Sequence, residues 1–157
     1  MHALNRIGAT ILFSSLAWWG GGMALAAETG PSAADCFIPA FKAGNADAVA
    51  ACYAEDAIMW FPGGPIAKGR AAIRDGFAGY LSGVTVKDVE LRPMGHEVMG
   101  DAKVSWGTYL FRVVDKATGT ESVTRGRFTD VSKKIDGRWL YLVDHPSDDP
   151  PAAPPAN

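Results

Sequence analysis

Two titratable residues follow an apolar stretch near the C-terminal end of the 157-residue chain. In the segment "GRWLYLVDHPS" (137–147), an apolar run from Trp139 to Val143 leads directly into Asp144 and His145. Desolvation at the end of a core strand raises the pKa of a carboxyl group, which suits a general acid or base. Asp144 is therefore the first candidate for proton transfer.

A second candidate for proton transfer is the pair Asp130 and His145, in which the aspartate would orient the imidazole. No serine or cysteine nucleophile is predicted beside this pair, so a hydrogen-bonded histidine at a sheet edge or dimer interface is the favoured alternative. Asp144 also has a structural alternative, because an ion pair with Arg127 or a cap on the following turn would satisfy its charge.

Several side chains on the predicted strands could line a pocket for a small apolar ligand. The candidates are Phe61, Trp106, Arg127 and Thr129. Aromatic residues at strand positions more often belong to a plain hydrophobic core, which is the alternative for Phe61 and Trp106.

Helical patterns come first along the chain and strand patterns follow. Two short helices are predicted within residues 33–53 and a third at 69–81, from apolar residues spaced three and four apart. Strands are predicted at 57–61, 84–91, 96–100, 102–114, 121–134 and 138–145. Helices followed by a meander of strands predict an α+β domain, with an antiparallel sheet packed on one side by helices.

Two predicted hairpins indicate which strand residues lie opposite each other. A two-residue turn at 136–137 places Thr129 opposite Asp144, and the preceding hairpin places Trp106 opposite Thr129. Each strand glycine then lies under an aromatic ring, Gly107 under Phe128 and Gly126 under Tyr109. One face gathers Trp106, Arg127, Thr129, Leu142 and Asp144, and the other gathers Tyr109, Phe128, Asp130, Tyr141 and His145.

Cys36 and Cys52 are the two cysteines of the sequence, and they lie on the first two predicted helices. In a helical hairpin that turns near residues 44–45, these two positions lie side by side. In an oxidising compartment the pair predicts a disulfide, which stabilises the fold by about 3 kcal/mol in the chain-entropy model. Two buried free thiols are the alternative.

Both ends of the sequence are predicted to lie outside the folded domain. Arg6, an apolar run at 7–19 and small residues at 24–26 are typical of a signal peptide (1–26) that is cleaved after residue 26. The run is shorter than the about 18–20 residues that span a bilayer, so we expect no membrane segment in the mature form. Residues 147–157 are acidic and then rich in proline and alanine, which predicts a disordered tail. We therefore expect a periplasmic or secreted protein with one domain at 33–146.

Charge and motif content argue against several classes of partner. The net charge of -2 and the lack of a long basic run give no reason to expect binding to nucleic acid or to an anionic membrane. His96 and Glu97 are adjacent on a strand and point to opposite faces, so we predict no metal site. The glycines at 63–64 match no phosphate-binding fingerprint, and we expect no cofactor.

Three short motifs, together with the order of elements, resemble those of a known family. They are "YAEDA" (53–57) before a strand, "GRAAI" (69–73) opening the third helix and "DGRW" (136–139) before the last strand. The chain resembles the NTF2-like superfamily, in particular its SnoaL-like, ketosteroid-isomerase-related members. The resemblance implies a cone, in which a curved antiparallel sheet wraps around three N-terminal helices, with a pocket inside and frequent homodimers.

The steroid isomerases of this superfamily use three catalytic groups, and the resemblance allows each position to be compared. Their general base is an aspartate before a proline at the end of the first strand, where this sequence has Phe61. Their oxyanion-binding tyrosine corresponds to Phe37, and their protonated aspartate corresponds to Thr129 or Asp130. Because the base and the tyrosine are replaced by phenylalanine, we do not expect steroid isomerisation by that mechanism.

The function predicted from the sequence is therefore an exported protein that binds a small apolar molecule. Isomerase, cyclase or lyase chemistry with Asp144 as the acid or base is compatible with this prediction. The alternative is a non-catalytic module that uses the sheet face around Tyr109, Tyr141 and His145 for homodimerisation or for a partner. A third hypothesis is a hydrolase or lyase that uses Asp130 and His145.

Overall fold

The computed structural model describes residues 30–150 and has three helices and six strands in that range. In chain order they are α1 (Ala33–Lys42), α2 (Ala46–Ala50), β1 (Tyr53–Trp60), β2 (Ile66–Lys68), α3 (Arg70–Gly83), β3 (Val84–Met99), β4 (Ala102–Asp115), β5 (Glu121–Ile135) and β6 (Arg138–Asp148). The predicted signal peptide (1–26) lies outside the described residues, as does the tail beyond residue 150, so both remain predictions.

Local sequence signals begin and end the first two helices. Ser32 and Asp35 form a capping box at the start of α1, in which each side chain accepts a hydrogen bond from the backbone N–H of the other residue. Asn45 caps α2 by accepting a hydrogen bond from the backbone N–H of Ala48 at 3.0 Å. Gly44 between the two helices has φ 66°, which a glycine adopts at little cost.

A disulfide joins Cys36 on α1 to Cys52, two residues beyond the end of α2. The two Cα atoms are 5.6 Å apart, and the described residues contain no free cysteine. The predicted pairing is confirmed, and it fixes the helical hairpin to the start of β1.

The six strands form one curved, mixed sheet in the order β2-β1-β6-β5-β4-β3. All neighbouring strands are antiparallel except β1 and β6, which are parallel. The predicted α+β class is therefore confirmed, with one parallel pair in a sheet that was predicted to be antiparallel. This pair is possible because α3 and four strands provide the long crossover that parallel neighbours need.

The predicted register is confirmed between β4 and β5 and is wrong by one residue along part of β6. Trp106 lies opposite Thr129 as predicted, but Thr129 lies opposite His145 and not Asp144. The register shifts between Val131 and Ser132, where Leu142 on β6 is the additional residue. A β-bulge of this kind moves every following side chain of the strand to the other face of the sheet.

Strand β6 also continues past the proline that was predicted to end it. Pro146 lies opposite Phe128, and the strand runs on through Ser147 to Asp148, which were both assigned to the tail. The pairing of β6 with β1 ends at Asp144. Pro146 therefore has a strand neighbour on one side only, which is where prolines are found in sheets.

Glycines in β4 and β5 leave room for aromatic rings on the concave face of the sheet. A Cβ atom on Gly107 would lie 2.8 Å from the ring of Phe128, and one on Gly126 would lie 2.5 Å from the ring of Tyr109. Both predicted pairs of glycine and aromatic residue are thus confirmed. They keep bulky rings close to the backbone on the face that covers the helices.

Candidate functional site

A cavity of about 590 Å³ lies between the helices and the concave face of the sheet. Six phenylalanine rings contribute to its wall, and they are Phe37, Phe41, Phe61, Phe77, Phe111 and Phe128. Several of these rings contact one another, such as Phe61 and Phe77 at 5.3 Å between centroids. A mostly apolar concave site of this size is typical of sites that bind small molecules.

Two carboxyl groups face each other in this apolar wall. Asp130 on β5 and Asp144 on β6 are direct cross-strand partners, and both line the cavity. Opposite residues of an antiparallel pair have Cα atoms about 4.5–5.5 Å apart, so the charge of Asp144 acts on Asp130 at short range. The bulge at Leu142 creates this pair, because without it Asp144 would point to the outer face.

A buried tyrosine holds one of the two carboxyl groups. The hydroxyl of Tyr53, at the start of β1, donates a hydrogen bond to Oδ2 of Asp144 at 2.6 Å. Burial raises the pKa of Asp144 to about 6, although the hydrogen bond from Tyr53 and the charge of His145 lower it. Tyr53 is fully buried, and its own pKa is raised by that burial and by the charge of Asp144.

The other carboxyl group interacts with serine hydroxyls. Asp130 is 6% exposed, and it accepts a long hydrogen bond of 3.5 Å from the hydroxyl of Ser132. Burial and the neighbouring charge of Asp144 raise the pKa of Asp130 to about 7, while Lys103, Ser105 and Ser132 lower it. The pair therefore carries about one proton between pH 6 and pH 7, so that an acid and a base lie side by side.

Tyr141 adds a hydroxyl group to the same wall. Tyr141 is 5% exposed and lines the cavity, and its hydroxyl has no hydrogen-bond partner within residues 30–150. No fully buried side-chain nitrogen or oxygen atom in that range lacks a partner, so this hydroxyl reaches the cavity. Further along the wall, Tyr109 donates to the carboxylate of Asp148.

The structure brings together only some of the residues predicted for the site. Phe61, Asp130 and Asp144 line one cavity. His145 is exposed on the outer face, with its ring 5.5 Å from that of Trp60. The predicted pair of Asp130 and His145 is therefore wrong, because the bulge puts the two side chains on opposite faces.

Three predicted ligand-binding residues also lie outside the cavity wall. Trp106, Arg127 and Thr129 are exposed, and none of them lines the cavity. The side chain of Arg127 forms an ion pair with Asp149 at 3.1 Å and not with Asp144. The sequence predicted that these three residues share a face of the sheet with Asp144. The one-residue shift in β6 turns Asp144 to the opposite face, which lines the cavity.

Sequence reasoning missed the role of Tyr53, which it placed on the second helix. Tyr53 begins β1, and it meets Asp144 only because β1 lies parallel to β6. The two residues are 91 positions apart, so no local pattern could have joined them.

Comparisons with known proteins place the chain in a family. The model of the SnoaL-like domain family matches residues 34–142. The chain belongs to this SnoaL-like family. It shares the NTF2-like fold with a ketosteroid isomerase-like protein from Erwinia carotovora atroseptica, at 21% identity and a TM-score of 0.68, covering 76% of this chain and 92% of that one.

Two further solved structures share the fold of this SnoaL-like protein. One, from Xanthomonas campestris, is named after the calcium/calmodulin-dependent protein kinase II association domain. It matches at 28% identity and a TM-score of 0.61, and the match covers 75% of this chain and 84% of that one. Another, from Streptomyces avermitilis, is named a dehydratase of the NTF2-like family, and it matches at 16% identity and a TM-score of 0.59, over 75% and 91%. The sequence has no significant match among curated proteins.

Within this SnoaL-like domain, the positions compared with the steroid isomerases can now be located. Phe37 and Phe61 both line the cavity, so apolar rings occupy the positions of the isomerase tyrosine and base. Of the two residues proposed for the third position, Asp130 faces the cavity and Thr129 does not. Two of the three positions that the resemblance compares therefore carry apolar rings in the cavity wall.

The part of the chain that the structure describes offers neither a metal site nor a membrane-spanning helix. Residues 30–150 contain no group of three His, Cys, Asp or Glu side chains placed to hold a metal ion. None of the helices in this range is long and apolar enough to cross a membrane.

Proposed function

We propose that this SnoaL-like protein binds a small, largely apolar molecule in its cavity and moves a proton on it with the Asp130–Asp144 pair. The observation that carries the proposal is the facing carboxyl pair inside an aromatic wall of about 590 Å³. Near neutral pH one carboxyl group can accept a proton while the other donates one.

The two carboxyl groups differ in a way that assigns their roles. Asp144, with a pKa of about 6 and a hydrogen bond from Tyr53, is the base. Asp130, with a pKa of about 7, is the acid. In an isomerisation, Asp144 takes a proton from a carbon atom of the substrate, and Asp130 gives a proton to another atom of the same molecule. Cyclase or lyase chemistry on a similar substrate would use the same two transfers.

The proposal includes export to the periplasm or the cell exterior. Residues 1–26 have the pattern of a cleaved signal peptide, and a Cys36–Cys52 disulfide is typical of an oxidising compartment. Mass spectrometry of the protein isolated from its native host tests this part, with an N-terminus at residue 27 as the expected result. A mature protein that still begins at residue 1 would refute it.

A thermal-shift screen tests binding. The protein that starts at residue 27 is heated with steroids, polyketides and other apolar compounds, and a bound compound raises the melting temperature by mass action. At one hundred times its dissociation constant, a ligand adds about 2.7 kcal/mol to the free energy of unfolding. A screen in which no compound raises the melting temperature would count against the proposed cavity function.

Asp144→Asn separates chemistry from binding, because the amide keeps the shape of the carboxyl group but cannot accept the proton. We expect turnover of a bound compound to be lost while the variant stays folded. Asp101→Asn is the matched control, since Asp101 is an exposed residue of the β3–β4 turn. Full turnover by Asp144→Asn would exclude Asp144 as the base.

Homodimerisation is a second candidate function, although the surface predicted for it must be corrected. Tyr109 and Tyr141 are each 5% exposed and lie inside the cavity wall, so they cannot form an interface with His145. The outer face of the sheet instead exposes Trp106, at 38%. Analytical ultracentrifugation of wild type and Trp106→Ser tests this surface, and an unchanged dimer in the variant would exclude it.

A further inference from the structure

The charged groups of the cavity all have the same sign. Three carboxyl groups line it, those of Asp130, Asp144 and Asp148, whereas no Lys, Arg or His among the described residues does so. An ionised carboxyl group that loses water without gaining a cation is costly in an apolar site. The wall therefore presents negative charge for which it has no cationic partner among its own residues.

The nearest cationic side chains act on the pair from outside the cavity. Lys103 on β4 influences Asp130, and the same ammonium group lies over the ring of Trp139 at 4.9 Å. His145 influences Asp144 as its chain neighbour and is exposed on the outer face. Neither side chain lines the cavity, so neither can contact a ligand there.

Tyr141 is a second and independent sign that the cavity binds a polar group of a ligand. Tyr141 is 5% exposed, and its hydroxyl has no hydrogen-bond partner within residues 30–150 and reaches the cavity near the two carboxyl groups. A hydroxyl oxygen can accept a hydrogen bond from an N–H group. The surrounding aromatic rings also attract a cation through their faces.

We propose that the ligand is an apolar molecule with one protonated amine, whose ammonium group binds between Asp130 and Asp144 and donates to Tyr141. The apolar part of the ligand then packs against the phenylalanine rings. This inference rests on the small-molecule binding of the proposed function and not on its proton transfer, and it specifies the chemical class of the ligand.

Binding of such a cation is coupled to protons. The groups that interact with the pair by charge or by hydrogen bonds are Tyr53 on β1, Lys103 and Ser105 on β4, Ser132 on β5, and Tyr141 and His145 on β6. Asp35 on α1 acts on Tyr141. An ammonium group favours the ionised form of both carboxyl groups, so binding releases a proton below about pH 7. Affinity then rises from pH 5 to pH 8.

The experiment compares two probes of nearly the same shape, 2-naphthylmethylamine and 2-naphthylmethanol, by isothermal titration calorimetry on the protein from residue 27. At pH 8 we expect the amine to bind about tenfold or more tightly than the alcohol, as for hydrogen bonds to charged groups. At pH 6, titrations in two buffers with different ionisation enthalpies should show proton release for the amine only.

Variants identify the groups responsible. Asp144→Asn and Asp130→Asn should each weaken the amine about tenfold and leave the alcohol unchanged. Tyr141→Phe should weaken the amine by a smaller factor. Asp101→Asn, in the exposed turn, is the control and should change neither probe.

The outcomes separate this inference from the proposed function. If the alcohol binds as well as the amine and the aspartate variants change neither, the amine inference is overturned and small-molecule binding stands. If neither probe binds, the amine inference is also overturned, and the screen of neutral apolar compounds decides the proposed function alone.

Discussion

Raising the pH from 5 to 8 should destabilise this protein, which is the sharpest consequence of the carboxyl pair. The pKa values of Asp144 and Asp130 rise from an ordinary 3.8 to about 6 and about 7. Between pH 4 and pH 7 the folded protein therefore binds more protons than the unfolded chain, so the free energy of unfolding falls as pH rises. For each pH unit between pH 5 and the pKa of a group, the free energy of unfolding falls by about 1.4 kcal/mol. The expected loss is about 1 kcal/mol from Asp144 and about 3 kcal/mol from Asp130.

Asp130→Asn should remove the larger part of this dependence, because the amide does not ionise. The variant should be more stable than the wild type at pH 8 and closer to it at pH 5. Asp101→Asn, which changes an exposed carboxylate in the β3–β4 turn, should retain the dependence of the wild type.

The assay is unfolding in guanidinium chloride at pH 5, 6, 7 and 8 with the disulfide intact. Tryptophan fluorescence follows the unfolding transition, and Trp139, which is 2% exposed, contributes to the change in signal. A wild-type free energy of unfolding that is constant or rises from pH 5 to pH 8 would refute the reasoning. An undiminished pH dependence in Asp130→Asn would do so as well.

Two further predictions concern the cavity wall and the helical hairpin. A Cβ atom on Gly76 would lie 2.5 Å from the ring of Phe61, so Gly76→Ala should push that ring about 1 Å into the cavity and weaken large ligands in the thermal-shift screen. On the same helix, the Cβ atom of Gly79→Ala would lie in open space, so this control variant should be about 0.5–1 kcal/mol more stable and bind ligands as the wild type does. Equal ligand binding by Gly76→Ala and Gly79→Ala would contradict this account. Replacing Cys36 and Cys52 by serine should lower the free energy of unfolding by about 3 kcal/mol in guanidinium chloride, and an unchanged transition would show that the disulfide contributes nothing.

Much of the fold could be predicted because its signals are local in the sequence. The cap at Asn45 and the glycine at 44 are adjacent, and they bring Cys36 beside Cys52 through a single helical turn-back. The β4–β5 register followed from one short turn, and the glycines under the rings of Phe128 and Tyr109 agreed with it. Short-range signals of this kind depend on backbone preferences that a residue keeps in any tertiary context.

The site depended on features that the sequence does not encode locally. By itself the sequence determined that Asp130 and Asp144 lie on neighbouring strands near an aromatic wall. Only the tertiary structure decided that they share a face, because one additional residue, Leu142, forms a bulge that turns Asp144 inward and leaves His145 outside. The same structure brought Tyr53 to Asp144 across 91 residues through a parallel strand pair. In a strand of period two, one unpaired residue reverses every later side chain, and its position is fixed by packing against the rest of the sheet.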